Sequence, residues 1–261
     1  MPKKPFRPNN QHHRNQGRKP FRQDADGPIY LYGLHTVSAA LANSRRQKIR
    51  LLVTPNALTR LGFDESSAPV PVEIKTPRDL DRLLGSDAVH QGAVLEVQPL
   101  PRPTMRELAA EASLIVLLDQ VTDPHNVGAI LRSACAFAAD AVITTARYAP
   151  QETGVLAKSA SGALDEVPFI EVRNLGETIQ ELQAEGFFVA GLDSEADQAL
   201  PVGRPAPKTA IVLGAEGKGL RQKTRELSDA MFRLDMPGTI KSLNVSNAAA
   251  ICLFALSHQA G

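Results

Sequence analysis

From residue 114 onward one pattern recurs: a short, mainly apolar run compatible with a buried strand, in most cases a helical period, then another run. The runs are 114–118, 141–145, 167–172, 187–192, 210–213 and 231–234. A strand that is apolar at successive positions must be covered on both faces, the condition of a parallel sheet flanked by helices. Parallel neighbours need long crossovers, and the helical periods between the runs supply them. Residues 113–261 are therefore expected to form an α/β domain on a largely parallel sheet. No internal repeat is found.

Residues 28–97 read as a second, smaller α/β unit. Leu34, Val37, Ala40 and Leu41 share one face of a helix near 35–43. Residues 49–53 and 92–97 read as strands, and Thr76-Pro77 opens a helix over 79–84 as cap and first-turn proline. Gln98-Pro-Leu-Pro-Arg-Pro103 then sets three prolines at alternate positions, which disfavours helix and central strand alike. Residues 98–112 are read as a linker that includes a short helix over 105–111.

The net charge of +1 is unevenly placed: residues 1–27 hold seven Lys/Arg against two acids, which leaves −4 on residues 28–261. The tail is almost free of aliphatic side chains and is expected to be disordered. It reads either as an arm that neutralises phosphates or as a solubilising extension. Binding of nucleic acid by the body would require a local patch rather than bulk basicity. The two cysteines, Cys135 and Cys252, lie in apolar segments without a Cys-x-x-Cys pair. That fits a reducing, cytoplasmic compartment and predicts no metal. The basic start leads into no apolar run, so no secretory signal is expected. No uncharged apolar stretch approaches the roughly 18 residues of a membrane span.

Three segments carry candidate chemistry. The first, Leu118-Asp-Gln-Val-Thr-Asp-Pro-His-Asn-Val-Gly-Ala-Ile-Leu-Arg132, leaves a strand and enters a helix near Asn126. Val127, Ile130, Leu131 and Ala134 form its buried stripe. Arg132 lies about 140° from Val127, so it points into a cleft, across an interface or into solvent. Asn126 is placed to cap the helix or to contact a ligand. The second, Ile211-Val-Leu-Gly-Ala-Glu-Gly-Lys-Gly-Leu220, runs a strand into a loop with three glycines. Gly219 follows Lys218 where a phosphate loop needs Ser or Thr, and the glycine spacing is not that of a dinucleotide site. Glu216 would repel phosphate, so a neutral or cationic ligand fits better. The third, Leu234-Asp-Met-Pro-Gly-Thr-Ile-Lys-Ser-Leu-Asn-Val-Ser-Asn247, precedes a final helix with Val245, Ala248, Ala249, Cys252 and Leu256 on its buried stripe. Ser242 and Asn244 stand at its start, either as a simple cap or as ligand contacts beside open backbone N–H groups.

Together, in this order and each near the end of an apolar run, these segments resemble the signatures of the SpoU/TrmH family of SPOUT RNA methyltransferases. The likeness rests on Asn126-Val-Gly-Ala-Ile-Leu-Arg132, Leu213-Gly-Ala-Glu-Gly-Lys-Gly219 and Ser242-Leu-Asn-Val-Ser246. Tyr32-Gly-Leu-His-Thr-Val37 and Val89-His-Gln-Gly92 resemble the family's RNA-substrate-binding domain, so the likeness covers about 29–258. It implies an L30e-like N-terminal α/β domain and a C-terminal domain with a trefoil knot, which no sequence pattern displays. It implies S-adenosylmethionine as cofactor, held near Leu213, Gly214, Leu234, Met236 and Leu243. It implies transfer of a methyl group to an RNA ribose 2′-hydroxyl, served by Arg132, Asn126, Glu216, Ser242 and Asn244, with Arg132 as base or as electrostatic stabiliser. It also implies a homodimer with its sites at the knot interface. It implies, as the RNA position methylated, a guanosine in 23S ribosomal RNA; a transfer-RNA enzyme and an inactive RNA-binding homologue are the alternatives. The family's usual proline is replaced by Asp235, which faces either the cofactor's charge or solvent. With nine Phe, three Tyr and no Trp, RNA would be read by shape, 2′-hydroxyls and phosphates rather than on a stacking platform. A nucleotide-binding dehydrogenase or ATPase is disfavoured by the two failed glycine patterns.

Overall fold

The computed structural model describes residues 29–101, 103–150, 153–240 and 242–258. The basic tail lies outside the described residues. The N-terminal unit runs β1 (Ile29–Tyr32), α1 (Leu34–Ala42), β2 (Lys48–Val53), α2 (Pro55–Arg60), β3 (Val72–Ile74), α3 (Pro77–Leu84) and β4 (Ala93–Val97). Its sheet is mixed, in the order β1-β4-β2-β3, antiparallel except for the β2–β3 pair. Thr76 caps α3 in a reciprocal box with Asp79, as the Thr-Pro start predicts. Strands β1 and β3 and helix α2 were not expected from the sequence; α2 carries the same signal, Thr54 as cap and Pro55 at the first position.

The C-terminal part runs α4 (Met105–Glu111), β5 (Leu114–Asp119), α5 (Pro124–Ala136), β6 (Ala141–Thr145), α6 (Gly154–Ala160), α7 (Ala163–Glu166), β7 (Phe169–Val172), α8 (Leu175–Ala184), β8 (Phe188–Leu192), β9 (Gln198–Ala199), β10 (Thr209–Gly214), α9 (Gln222–Leu227), β11 (Ala230–Arg233) and α10 (Val245–Ser257). Seven strands pair in the order β7-β6-β5-β10-β8-β11-β9, every pair parallel. The six expected runs are six of these strands, and β5 is buried at every residue. Val127, Ile130 and Leu131 of α5 are fully buried, each contributing roughly 1.5–3 kcal/mol. Leu108 and Ala109 of α4 pack under the sheet, so the proline-rich segment leads into a helix docked on this domain.

The two units share one apolar core, which runs from Leu31, Val37 and Leu95 through Leu156 and Ala160 to Val116 and Ile130. Gly154 makes the close approach possible: a Cβ there would lie 2.3 Å from the Tyr32 ring and 2.6 Å from the Tyr30 carbonyl oxygen. At the far end of the junction Arg46 Nε donates to Asp165 Oδ1 at 2.7 Å, with both side chains out of water. Asn43 Nδ2 donates to the same carboxylate at 3.0 Å. Among the described residues no helix is long and apolar enough to cross a membrane.

Candidate active site

β5 and β10 are adjacent, and the strand order runs outward from them in both directions. Loops leaving such a pair diverge and open a crevice beyond the strand C-termini, where parallel sheets bind ligands. The first segment leaves β5, the second leaves β10 and the third leaves β11 at the same edge.

Asp123, not Asn126, caps α5, its side chain accepting from the His125 N–H. Asn126 sits one turn in, so its side chain is free of capping. Asn244 caps α10, its Oδ1 accepting from the Ser246 N–H at 2.9 Å and the Ser246 hydroxyl at 2.6 Å. Its amide nitrogen donates to Asn126 Oδ1 at 3.0 Å and to Glu216 Oε1 at 2.7 Å. An asparagine amide has two N–H donors, so both are spent and one side chain joins the three segments. Asn244 is thus a cap and a site residue at once.

Beside this cluster opens a cavity of about 270 Å³, lined by Leu213, Gly214, Glu216, Leu234, Met236, Ser242 and Leu243 among others. Gly214 is required by shape: a Cβ would fall 2.2 Å from the Gly219 carbonyl carbon, where the loop folds back on itself. Among the described residues no Lys or Arg lines the cavity, whereas Glu216 and Asp193 do. Asp193, one residue past β8, was missed in the sequence. Its Oδ2 pairs with Arg225 Nη1 at 2.6 Å and its Oδ1 accepts from the Glu195 N–H at 2.9 Å. The rule that ligands gather at strand C-termini, applied to β8 as well, would have found it. Asp119, at the end of β5 and fully buried, accepts from Arg221 Nε at 2.6 Å and Thr224 Oγ1 at 2.7 Å. It ties the chain just after the glycine loop to the strand that carries the first segment.

Arg132 stands apart. It is six residues beyond Asn126, about 120° around the helix and ~9 Å along it. It is exposed, does not line the cavity and makes no hydrogen bond or ion pair among the described residues. Among the described residues Glu216 pairs with Asn244 and not with Arg132 of the same chain. Asp235 accepts from Arg233 Nε at 3.0 Å and is 66% exposed, outside the cavity wall. It takes the solvent-facing alternative.

Residues 113–254 match the SpoU rRNA Methylase family, and residues 30–103 match the RNA 2′-O ribose methyltransferase substrate-binding family. The chain belongs to the SpoU family. The 23S rRNA (guanosine-2′-O-)-methyltransferase RlmB of Pseudomonas putida is 37% identical over 235 residues, covering 86% of this chain and 94% of that protein. The protein of the same name from Escherichia coli K12 is 37% identical over 233 residues, covering 86% and 96%. Among solved structures, the SpoU methyltransferase AviRb from Streptomyces viridochromogenes, in complex with AdoMet, matches with a TM-score of 0.73. That match covers 88% of this chain and 89% of AviRb at 24% identity, a likeness of fold. The three clustered segments all lie inside the span matched by the SpoU family.

Proposed function

We propose that this chain transfers a methyl group from S-adenosylmethionine to the ribose 2′-hydroxyl of a guanosine in 23S ribosomal RNA. The observation that carries the reading is the Asn244 amide, which joins Asn126 and Glu216 beside the cavity. Relatives named for this reaction are 37% identical over most of the chain. The cavity fits the cofactor's chemistry. Its volume of about 270 Å³ lies just below the roughly 300–1,000 Å³ usual for small-molecule sites. Leucine side chains, a glycine backbone and the Glu216 and Asp193 carboxylates suit an apolar nucleoside body that carries positive charge better than they suit a phosphate. Leu213, Gly214, Leu234, Met236 and Leu243 would hold the cofactor. When bound, S-adenosylmethionine supplies an electrophilic methyl group on a sulfonium.

A ribose hydroxyl is a poor nucleophile until its proton begins to leave. A guanidinium offers donors and no acceptor, so we assign Arg132 to stabilising the developing oxyanion and holding the neighbouring phosphate through its fork of donors. Glu216 has one oxygen committed to Asn244, and we assign the other to receive the hydroxyl proton. Asn126 and Ser242 position the ribose.

We further propose a homodimer, cytoplasmic and carrying the family's trefoil knot. Ile251 and Phe254 on α10 are 46% and 53% exposed. They lie beside the exposed face of α5 that holds Cys135, Ala136 and Arg132, with the Phe254 ring against Phe137 at 6.0 Å. An apolar face of this kind is what a two-fold interface buries, and such an interface would bring Arg132 to a cavity. The reading is tested by mapping ribose methylation in ribosomal RNA from cells with and without the gene. Loss of one 2′-O-methylguanosine in 23S ribosomal RNA is expected; an unchanged map would refute the assignment.

A further inference from the structure

A series of polar residues, joined by hydrogen bonds and by adjacency in sequence, leads from the N-terminal sheet to the cluster at Asn244. It begins at Gln91, in the β4-side turn of the N-terminal unit. His90 fixes that turn: its Nδ1 accepts from the Gly92 N–H at 2.9 Å, so the proton is on Nε2, which donates to Asp81 Oδ1 at 3.1 Å. Gln91 is held at φ 54, a conformation uncommon for a side-chain-bearing residue. Its Oε1 accepts from the Leu34 N–H at 3.1 Å and from Lys158 Nζ, on α6 of the other domain, at 3.1 Å. Ser159, the next residue on α6, meets His125 Nδ1 at 3.2 Å. His125 precedes Asn126, and Asn126 meets Asn244. Gln91 and His125 are exposed, while Lys158 and Ser159 are half-buried.

Lys158 is the unusual member. Its ammonium sits at the domain junction with a neutral amide as partner, and among the described residues it makes no ion pair. Burial holds its pKa below the ordinary lysine value, so the local field gains from an added anion. An ammonium has three N–H groups; one goes to Gln91 and two remain. The amide nitrogen of Gln91 adds two more donors.

We propose that Lys158 and Gln91 bind a backbone phosphate of the RNA substrate at the domain junction, so that both domains grip one strand on its way to Asn126. The inference rests on the RNA 2′-O-methyltransferase reading and deepens it. A phosphate there would satisfy the ammonium, and the strip of His125 and Ser159 would carry the chain onward to the ribose site. Both residues belong to the body of the molecule, which lacks bulk basicity; a half-buried cation without an acidic partner among the described residues is the local patch that such a body needs.

The test uses the full chain, an unmethylated 23S ribosomal RNA transcript and a salt titration of binding. Lys158→Gln should weaken binding roughly three- to ten-fold and lower the slope of log K against log salt by about 0.7–0.9, the loss of one phosphate contact. Lys158→Arg should restore both. Gln91→Glu keeps both acceptor roles at the junction and neutralises the ammonium. If the pair is only an interdomain strut, Gln91→Glu leaves RNA affinity intact; the proposal requires it to fall, with thermal stability unchanged or raised. Wild-type affinity and slope in Lys158→Gln and Gln91→Glu would overturn the inference while wild-type methyl transfer upheld the functional reading. Wild-type protein that neither binds the transcript nor methylates it would instead sink that reading.

Discussion

At the scale of single residues, the chain places two jobs on Asn244, and one substitution separates them. Asn244→Asp keeps the oxygen that caps α10 but loses the amide that donates to Asn126 and Glu216. A carboxylate remains a good helix cap, and the new negative charge faces Glu216. We expect a stability change within about 1 kcal/mol by urea denaturation, and a fall in methyl-transfer rate of roughly 100-fold or more. Equal rates would remove the cluster from the mechanism. Cys252 makes a second case. Its thiol is fully buried and burial pushes its pKa up to about 12. In the unfolded chain a thiol ionises near 8.5, so above that pH the unfolded state gives up a proton that the folded state keeps. The contribution is fully present below the unfolded pKa and is lost as pH rises through the window up to about 12. Cys252→Ser should flatten the decline of stability measured between pH 8.5 and the alkaline limit; an identical decline would contradict this.

At the scale of elements, what the sequence made legible follows burial. Strands β5, β6 and β10 are buried along nearly their whole length and read as mainly apolar runs. β9 is two residues long with both exposed, and β3 is three residues with none fully buried, so neither leaves a hydrophobic signature. The helix start at Asp123-Pro124 was displaced to Asn126 because the apolar stripe begins only at Val127. The three chemical segments were legible as glycine, cap and strand-end patterns. Their joining through one amide was not, because it depends on loop paths set by the whole sheet. The Arg46–Asp165 contact between the units was equally hidden, since nothing in either segment announces a partner some 119 residues away. Removing one member of a buried ion pair leaves the other charge stranded. Asp165→Ala should therefore cost about 3–5 kcal/mol in denaturant unfolding. A loss below about 1 kcal/mol would be that of an exposed ion pair, and would show that the junction is open to water.

At the scale of the whole molecule, the cavity beside Asn244 is lined without the Arg132 of its own chain, and the proposed dimer would supply that arginine from the partner. Mixing Arg132→Ala with Asn244→Asp protein tests this. If each cavity draws its arginine from the partner, random mixed dimers regain about a quarter of wild-type sites; if the arginine acts in its own chain, mixing regains nothing. Phe254→Glu should shift sedimentation from dimer to monomer by placing a charge in the apolar face, and unchanged sedimentation would place the interface elsewhere. The central claim, that loops from β5, β10 and β11 form one centre for ribose methylation, is tested most directly by methyl transfer itself. Purified protein is incubated with S-adenosylmethionine tritiated in its methyl group and a 23S ribosomal RNA transcript, and the RNA is then hydrolysed in alkali. A methylated 2′-oxygen cannot attack its neighbouring phosphate, so the account predicts label confined to an alkali-resistant dinucleotide that begins with guanosine. Label released in mononucleotides, or no label in RNA at all, would contradict it.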